Sequence, residues 1–137
     1  MTLAKLTRRT VETVHPTASC VEAAQRMRDA GVGSVIVAES DRPLGIVTDR
    51  DLAVRVIAAG LQPDRVTVGQ IMSGRPIFVS EGRDLGEVLQ LMRDLTVRRM
   101  PVVDADQRLV GVVSLDDVIL ALSGSLALVA ETIEKEM

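Results

Sequence analysis

The feature that most constrains this chain is an internal repeat: displaced by 65 residues, the sequence aligns with itself over nearly its whole length. Leu3 falls on Val68, Leu6 on Ile71 and Val14 on Val79. Glu22 falls on Glu87, Met27-Arg28-Asp29 on Met92-Arg93-Asp94, and Val32 on Val97. After one inserted residue, Gly45-Ile46-Val47-Thr48 meets Gly111-Val112-Val113-Ser114, and Asp51 meets Asp117. The 137 residues suit one typical domain or two very small ones that share a core. A unit of about 65 residues with one small sheet is marginal alone. The copies are therefore expected to face each other through their sheets and bury one continuous core.

Each copy reads with the same local rules. Ser19 followed by Glu22 forms a capping box opening a helix through about Ala30, with Val21, Ala24 and Met27 on an apolar side and Gly31 as the stop. Strands are expected at Ser34–Ala38 and Leu44–Val47, joined by a polar turn; Thr48 then caps a helix to about Ala59, closed by Gly60. In the second copy, Asp84 and Glu87 open a helix to about Leu95. Strands follow at Met100–Val103 and Leu109–Val113, and Ser114 caps a helix to about Leu122. A short strand at Thr13-Val14 or Phe78-Val79 precedes each set, and Leu61–Thr67 links the copies. Ser123-Gly124-Ser125 is expected to divide the carboxy-terminal apolar stretch into two helical pieces, the second being Ser125–Met137.

Composition removes several function classes. Phe78 is the only aromatic residue and the net charge is −3, so neither base stacking nor general phosphate attraction supports a nucleic-acid partner. One cysteine, Cys20, forbids an internal disulfide framework or a multi-cysteine metal cluster; it reads as a small buried thiol. His15, before Pro16, reads as a turn or pocket-rim histidine, and its spacing from Cys20 selects no zinc site. Met1–Thr10 has no signal-like apolar run and no stretch reaches 18 apolar residues, so cytoplasmic residence without membrane insertion is the default. No catalytic constellation is present: Cys20 and His15 lack an orienting third group, and Gly45–Thr48 lacks the glycine-rich turn and lysine of a P-loop.

The segments Gly45-Ile46-Val47-Thr48-Asp49-Arg50-Asp51-Leu52 and Gly111-Val112-Val113-Ser114-Leu115-Asp116-Asp117-Val118 resemble the signature of CBS domains: glycine, two apolar residues, Thr or Ser, two variable residues, then Asp. Val68-Gly69-Gln70-Ile71-Met72-Ser73, with Pro76 and Val79 beyond it, is similar to that family's entry sequence, and Arg98-Arg99-Met100-Pro101-Val102-Val103-Asp104 to its second strand. The resemblance runs from about Leu3 to Leu122. It implies an α/β fold with small mixed sheets, two repeats packed about a pseudo-twofold axis, and helices on the outside. The expected division is 1–66 for the first repeat with its linker, 67–124 for the second, and 125–137 for a terminal helix. It also implies clefts that hold AMP, ADP, ATP or another adenosyl ligand, and assembly into a flat dimeric disc.

The motif makes chemical sense on its own. Thr48 and Ser114 stand where strand gives way to helix, so a hydroxyl and free backbone N–H groups lie together for a phosphate oxygen. Asp51 and Asp117, three residues on, can accept the two vicinal hydroxyls of a ribose. Ordinary capping explains the same residues, and both descriptions can hold together. By the resemblance, Arg99 stands where related pairs carry a basic residue near phosphate, and a guanidinium fork suits that task. Arg98 points to the other face. The first repeat has Gly33 and Ser34 at these places, so two binding clefts would be unequal. Val14, Val35, Val79 and Met100, with Pro101 beside the last, are candidate adenine walls and equally candidate core residues.

The leading expectation is a regulatory module that binds an adenosine nucleotide and reports to a protein partner not specified by the sequence. No cofactor is obligatory, and magnesium with a triphosphate is left open. A ligand-independent dimerisation scaffold is the alternative from another class; a binder of S-adenosylmethionine or NAD is a third. A homodimer through the helical faces is expected because those faces read as unusually apolar: Ala23, Ala24, Met27, Val88, Leu89, Met92, Ala53, Val56, Ile57, Ile119 and Leu122. Leu126, Val129 and Ile133 add a stripe to the terminal helix, with Glu131, Glu134 and Glu136 toward water.

Overall fold

A computed structural model describes residues 3–72 and 78–136. The expected Ser73 and Pro76 of the second entry sequence lie outside those residues. The first repeat contains α1 (Leu3–Leu6), β1 (Thr13–Val14), α2 (Cys20–Ala30), β2 (Ser34–Glu39), β3 (Arg42–Thr48) and α3 (Asp49–Asp51), which continues as a π-helix, Leu52–Ile57. The second contains α4 (Val68–Ile71), β4 (Val79–Ser80), α5 (Leu85–Leu95), β5 (Arg99–Val103), β6 (Leu109–Ser114) and α6 (Leu115–Glu136). Each sheet has three strands in sequence order, with a parallel first pair and an antiparallel second pair. The duplication extends to irregularities: the register shifts at Val37/Ala38 and again at Val102/Val103.

Caps set the helix ends. The Ser19 hydroxyl accepts the Glu22 N–H at 3.1 Å, and the Asp84 carboxylate accepts the Glu87 N–H at 3.4 Å. Among the described residues the reciprocal half of the expected box is not made, and Glu87 pairs with Arg83 at 2.8 Å instead. Gly31 ends α2 in the left-handed region (φ 66°), where the missing Cβ removes the penalty. Thr96 ends α5 in the same conformation (φ 54°) without that freedom.

The single continuous core expected from the repeat is replaced by two. Strand alternation sends Val35, Val37 and Val47 against Ala23, Met27 and Val56 in one, and Met100, Val102 and Val113 against Val88, Met92 and Val118 in the other. Each sheet packs one face against its own helices, which separates the two clusters. Ile36 and Val103, each 1% exposed, belong to neither cluster and lie on the opposite sheet faces.

The entry helices exchange places. Leu3 of α1 is buried in the second repeat's core, with Leu6 packed against it, while Val68 and Ile71 of α4 are buried in the first repeat's core. The crossing chain explains the motif glycines. A Cβ on Gly111 would meet the Arg8 carbonyl oxygen and the Thr7 methyl group; one on Gly45 would lie 2.9 Å from the Met72 sulfur. Arg8 is held over β6 by a two-way backbone bridge to Val112, at 2.8 and 3.0 Å.

Three further expectations change. The helix after Thr48 becomes a π-helix that returns Val56 to the core at 1% exposure. The chain after Ser114 forms one 22-residue helix through Ser123-Gly124-Ser125. No proline interrupts it, an exposed helical glycine costs only about 1 kcal/mol, and the Ser125 hydroxyl donates to the Ala121 carbonyl. Only Val118 of α6 is buried, and Leu122, the counterpart of Val56, is 46% exposed. Finally, Ala23, Met27, Val56, Val88 and Met92 do not supply outer apolar surface, because each faces its own sheet. That surface comes from Val54, Ile57, Ile119, Leu120, Leu122, Leu126, Leu128, Val129 and Ile133.

Candidate functional site

One cleft of about 370 Å³ lies between the repeats, within the range of small-ligand sites. The first repeat contributes Arg8, Thr10, Val11, Glu12, the turn 30–34 and Ile36; the second contributes Arg99, Val112, Ser114, Asp116, Asp117 and Leu120. The α1 crossing builds this arrangement, because it carries residues 8–12 across the end of β6 before the chain returns to β1. Ser114, Asp117 and Arg99 are thus brought together.

At the acidic end, the Ser114 hydroxyl accepts the Asp117 N–H at 3.1 Å and donates to Asp117 Oδ2 at 2.9 Å. Arg8 donates from Nε to both Asp117 oxygens, at 3.1 and 3.0 Å, and from Nη2 to Oδ1 at 2.8 Å. The Arg8 hydrogen bond holds the Asp117 carboxyl below its ordinary range; burial opposes this, and Ser114 and the Arg8 charge reinforce it. Arg99 is half-buried and, among the described residues, has no ion-pair partner. Gly33 lies beside it: a Cβ there would be in ordinary contact with the Arg99 guanidinium at 3.8 Å and would crowd only the Asp49 carboxylate, at 3.2 Å.

Thr48 and Asp51 stand apart from this cleft in a closed capping box. Asp51 N–H donates to the Thr48 hydroxyl at 3.1 Å and Thr48 N–H to the Asp51 carboxylate at 2.9 Å, with Arg55 at 3.8 Å. Residues 73–77 lie outside the described residues. Arg98 pairs with Asp116 at 3.1 Å on the exposed side. Val14, Val35, Val79 and Met100 are core residues and do not line the cleft; Pro101 is buried outside the lining. The apolar wall falls to the opposite strand faces, through Ile36 and Val112, joined by Val11, Val32 and Leu120. Arg8, Thr10 and Glu12 were not legible as site residues, since their placement depends on the crossing of α1.

Burial pushes the Cys20 thiol up, away from thiolate formation. His15 Nδ1 bonds the Thr17 hydroxyl at 2.8 Å while Nε2 lies 3.5 Å from Glu39, as a turn histidine. Among the described residues, no three His, Cys, Asp or Glu side chains gather as a metal site. No helix among them is long and apolar enough to cross a membrane.

The fold and cleft define a duplicated α/β module whose ligand-sized space is made jointly by both copies. The CBS domain family model matches residues 3–57 and 68–124, and the chain belongs to that family. An uncharacterized protein of Methanopyrus kandleri is 41% identical over 138 residues, covering 100% of this chain and 68% of the relative. Hypoxic response protein I, solved with two coordinated zinc ions, is 31% identical with a TM-score of 0.79, over 88% of this chain and 98% of that one. A CBS domain protein of Pyrobaculum aerophilum, solved in complex with AMP, is 26% identical with a TM-score of 0.79, over 90% and 99%.

Proposed function

We propose that this protein is a regulatory module that binds an adenosine nucleotide, AMP, ADP or ATP, in the cleft between its repeats and acts on a protein partner as a homodimer. The observation that carries the reading is the convergence of Asp117, Ser114 and Arg99 with Arg8, residues 10–12 and residues 30–34 in one cleft. A carboxylate there suits a ribose diol, an arginine suits phosphate, and Ile36, Val112 and Leu120 suit an apolar base. The AMP complex of the Pyrobaculum relative supports the same ligand class. Asp117→Ala is expected to weaken nucleotide binding by about 1.5–3 kcal/mol, the scale of lost charge-assisted hydrogen bonds. Asp51→Ala is expected to cost less, because its carboxylate serves a capping box. Calorimetric titration of both variants checks this, and equal losses would refute the assignment of the main site.

The dimer reading rests on uncovered apolar helix. Ile119, Leu122, Leu126, Val129 and Ile133 alternate in steps of three and four along α6 and are 52%, 46%, 70%, 56% and 56% exposed. A second copy related by a twofold axis covers such a face with itself. Light scattering is expected to give twice the 14.7 kDa of the chain. A monomeric mass in both the presence and the absence of nucleotide would refute the dimer.

A further inference from the structure

The acidic end of the cleft is already occupied from within the chain. Both Asp117 oxygens are engaged, Oδ1 by Arg8 alone and Oδ2 by Arg8 and Ser114. A ribose diol needs those same two oxygens, so it competes with Arg8 for them.

We infer that Arg8 is a displaceable latch on Asp117, which gives the cleft a preference for adenosyl ligands bearing an anionic group over uncharged ones. This deepens, and rests on, the adenosine-ligand reading above. The two partners differ in mobility. The Asp117 side chain is 14% exposed and tied to Ser114, whereas that of Arg8 is 68% exposed. The Arg8 backbone is pinned to Val112, yet that bridge uses only N–H and carbonyl groups, so the side chain can swing without disturbing the strand end. With its Arg8 half largely solvated, the ion pair opposes this only modestly. Once released, the guanidinium is a free cation at the cleft, near a second one, Arg99. A ligand phosphate restores its partner; an uncharged nucleoside leaves it with water alone. At the corresponding place in the second repeat the sequence has Ser73, so the latch belongs to one repeat.

Adenosine and AMP titrations of the wild type, Arg8→Ala and Arg9→Ala test this. Arg9 pairs with Glu81 and does not line the cleft, so its removal controls for general loss of charge. The Arg8→Ala variant is expected to bind adenosine about three- to tenfold more tightly than wild type. Its AMP-to-adenosine preference should fall by about tenfold, and Arg9→Ala should change neither. Ligand-free carboxyl NMR should show the Asp117 pKa rising in Arg8→Ala. Unchanged or weaker adenosine binding in a folded Arg8→Ala variant, with the wild type binding both ligands, would overturn the latch alone. The same gain in Arg9→Ala would also overturn it. No binding of either ligand by any of the three proteins would overturn the latch together with the adenosine-ligand reading.

Discussion

Replacing each motif glycine by alanine separates the crossing of α1 from the general demands of the fold. Gly111 does not need a left-handed backbone; what excludes a side chain is space. Its Cβ would press on the Arg8 carbonyl and the Thr7 methyl group, and the Arg8 carbonyl carbon lies 3.1 Å away. Backbone cannot rotate aside, so the segment must lift. Lifting weakens the two Arg8–Val112 hydrogen bonds, each about 1 kcal/mol net, and draws on Leu3, whose complete exposure would cost about 1.5–3 kcal/mol. With partial relaxation, Gly111→Ala is expected to cost about 2–4 kcal/mol. At Gly45 the obstacle is the Met72 side chain, with sulfur at 2.9 Å and Cβ and Cγ at 3.3 Å. Methionine adapts by rotation, so Gly45→Ala is expected to cost about 1 kcal/mol. Urea unfolding of both variants measures the difference. A Gly111→Ala loss no larger than that of Gly45→Ala would refute the account of how α1 is seated.

Further outcomes follow from single sites. Arg99→Met should weaken AMP about tenfold, the scale of one charge-assisted contact, and leave adenosine binding unchanged by titration; a parallel loss for adenosine would move Arg99 to a structural role. Thr96→Gly should raise stability by about 0.5–1.5 kcal/mol in urea unfolding, because left-handed strain at a branched residue outweighs glycine's extra unfolded-state freedom. Asp117 has a lowered folded pKa, so its contribution is complete above the unfolded value and disappears as pH falls through the folded one. The stability gap between wild type and Asp117→Asn should therefore be flat down to about pH 5 and shrink below it in pH-dependent unfolding.

The repeat made the fold class, the strands and the helix starts legible, because caps at Ser19, Thr48 and Asp84 and alternation along β2 and β5 are local signals. Three features were not local. The π-helix depends on where Val56 must land to reach its core, which no spacing in Leu52–Ile57 announces. The continuity of α6 depends on exposed surroundings in which Gly124 is tolerated. The exchange of α1 and α4 depends on which repeat each apolar segment covers, and Leu3 and Val68 look identical in that respect. The lining of the candidate cleft was accordingly half legible: Ser114, Asp117 and Arg99 came from the motif, whereas Arg8 and residues 10–12 came only from the crossing. Assigning Val14, Val35, Val79 and Met100 as walls failed for a simple reason, since adjacent residues such as Ile36 and Val112 occupy the opposite strand faces.

Whether the inter-repeat cleft takes an adenosine nucleotide is decided by calorimetric titration of carefully stripped protein with AMP, ATP and S-adenosylmethionine. Saturable heat with AMP or ATP, diminished by Asp117→Ala, is the predicted result. Absence of heat and of any thermal shift with all three ligands would contradict it, and heat with S-adenosylmethionine alone would replace the nucleotide by another adenosyl ligand.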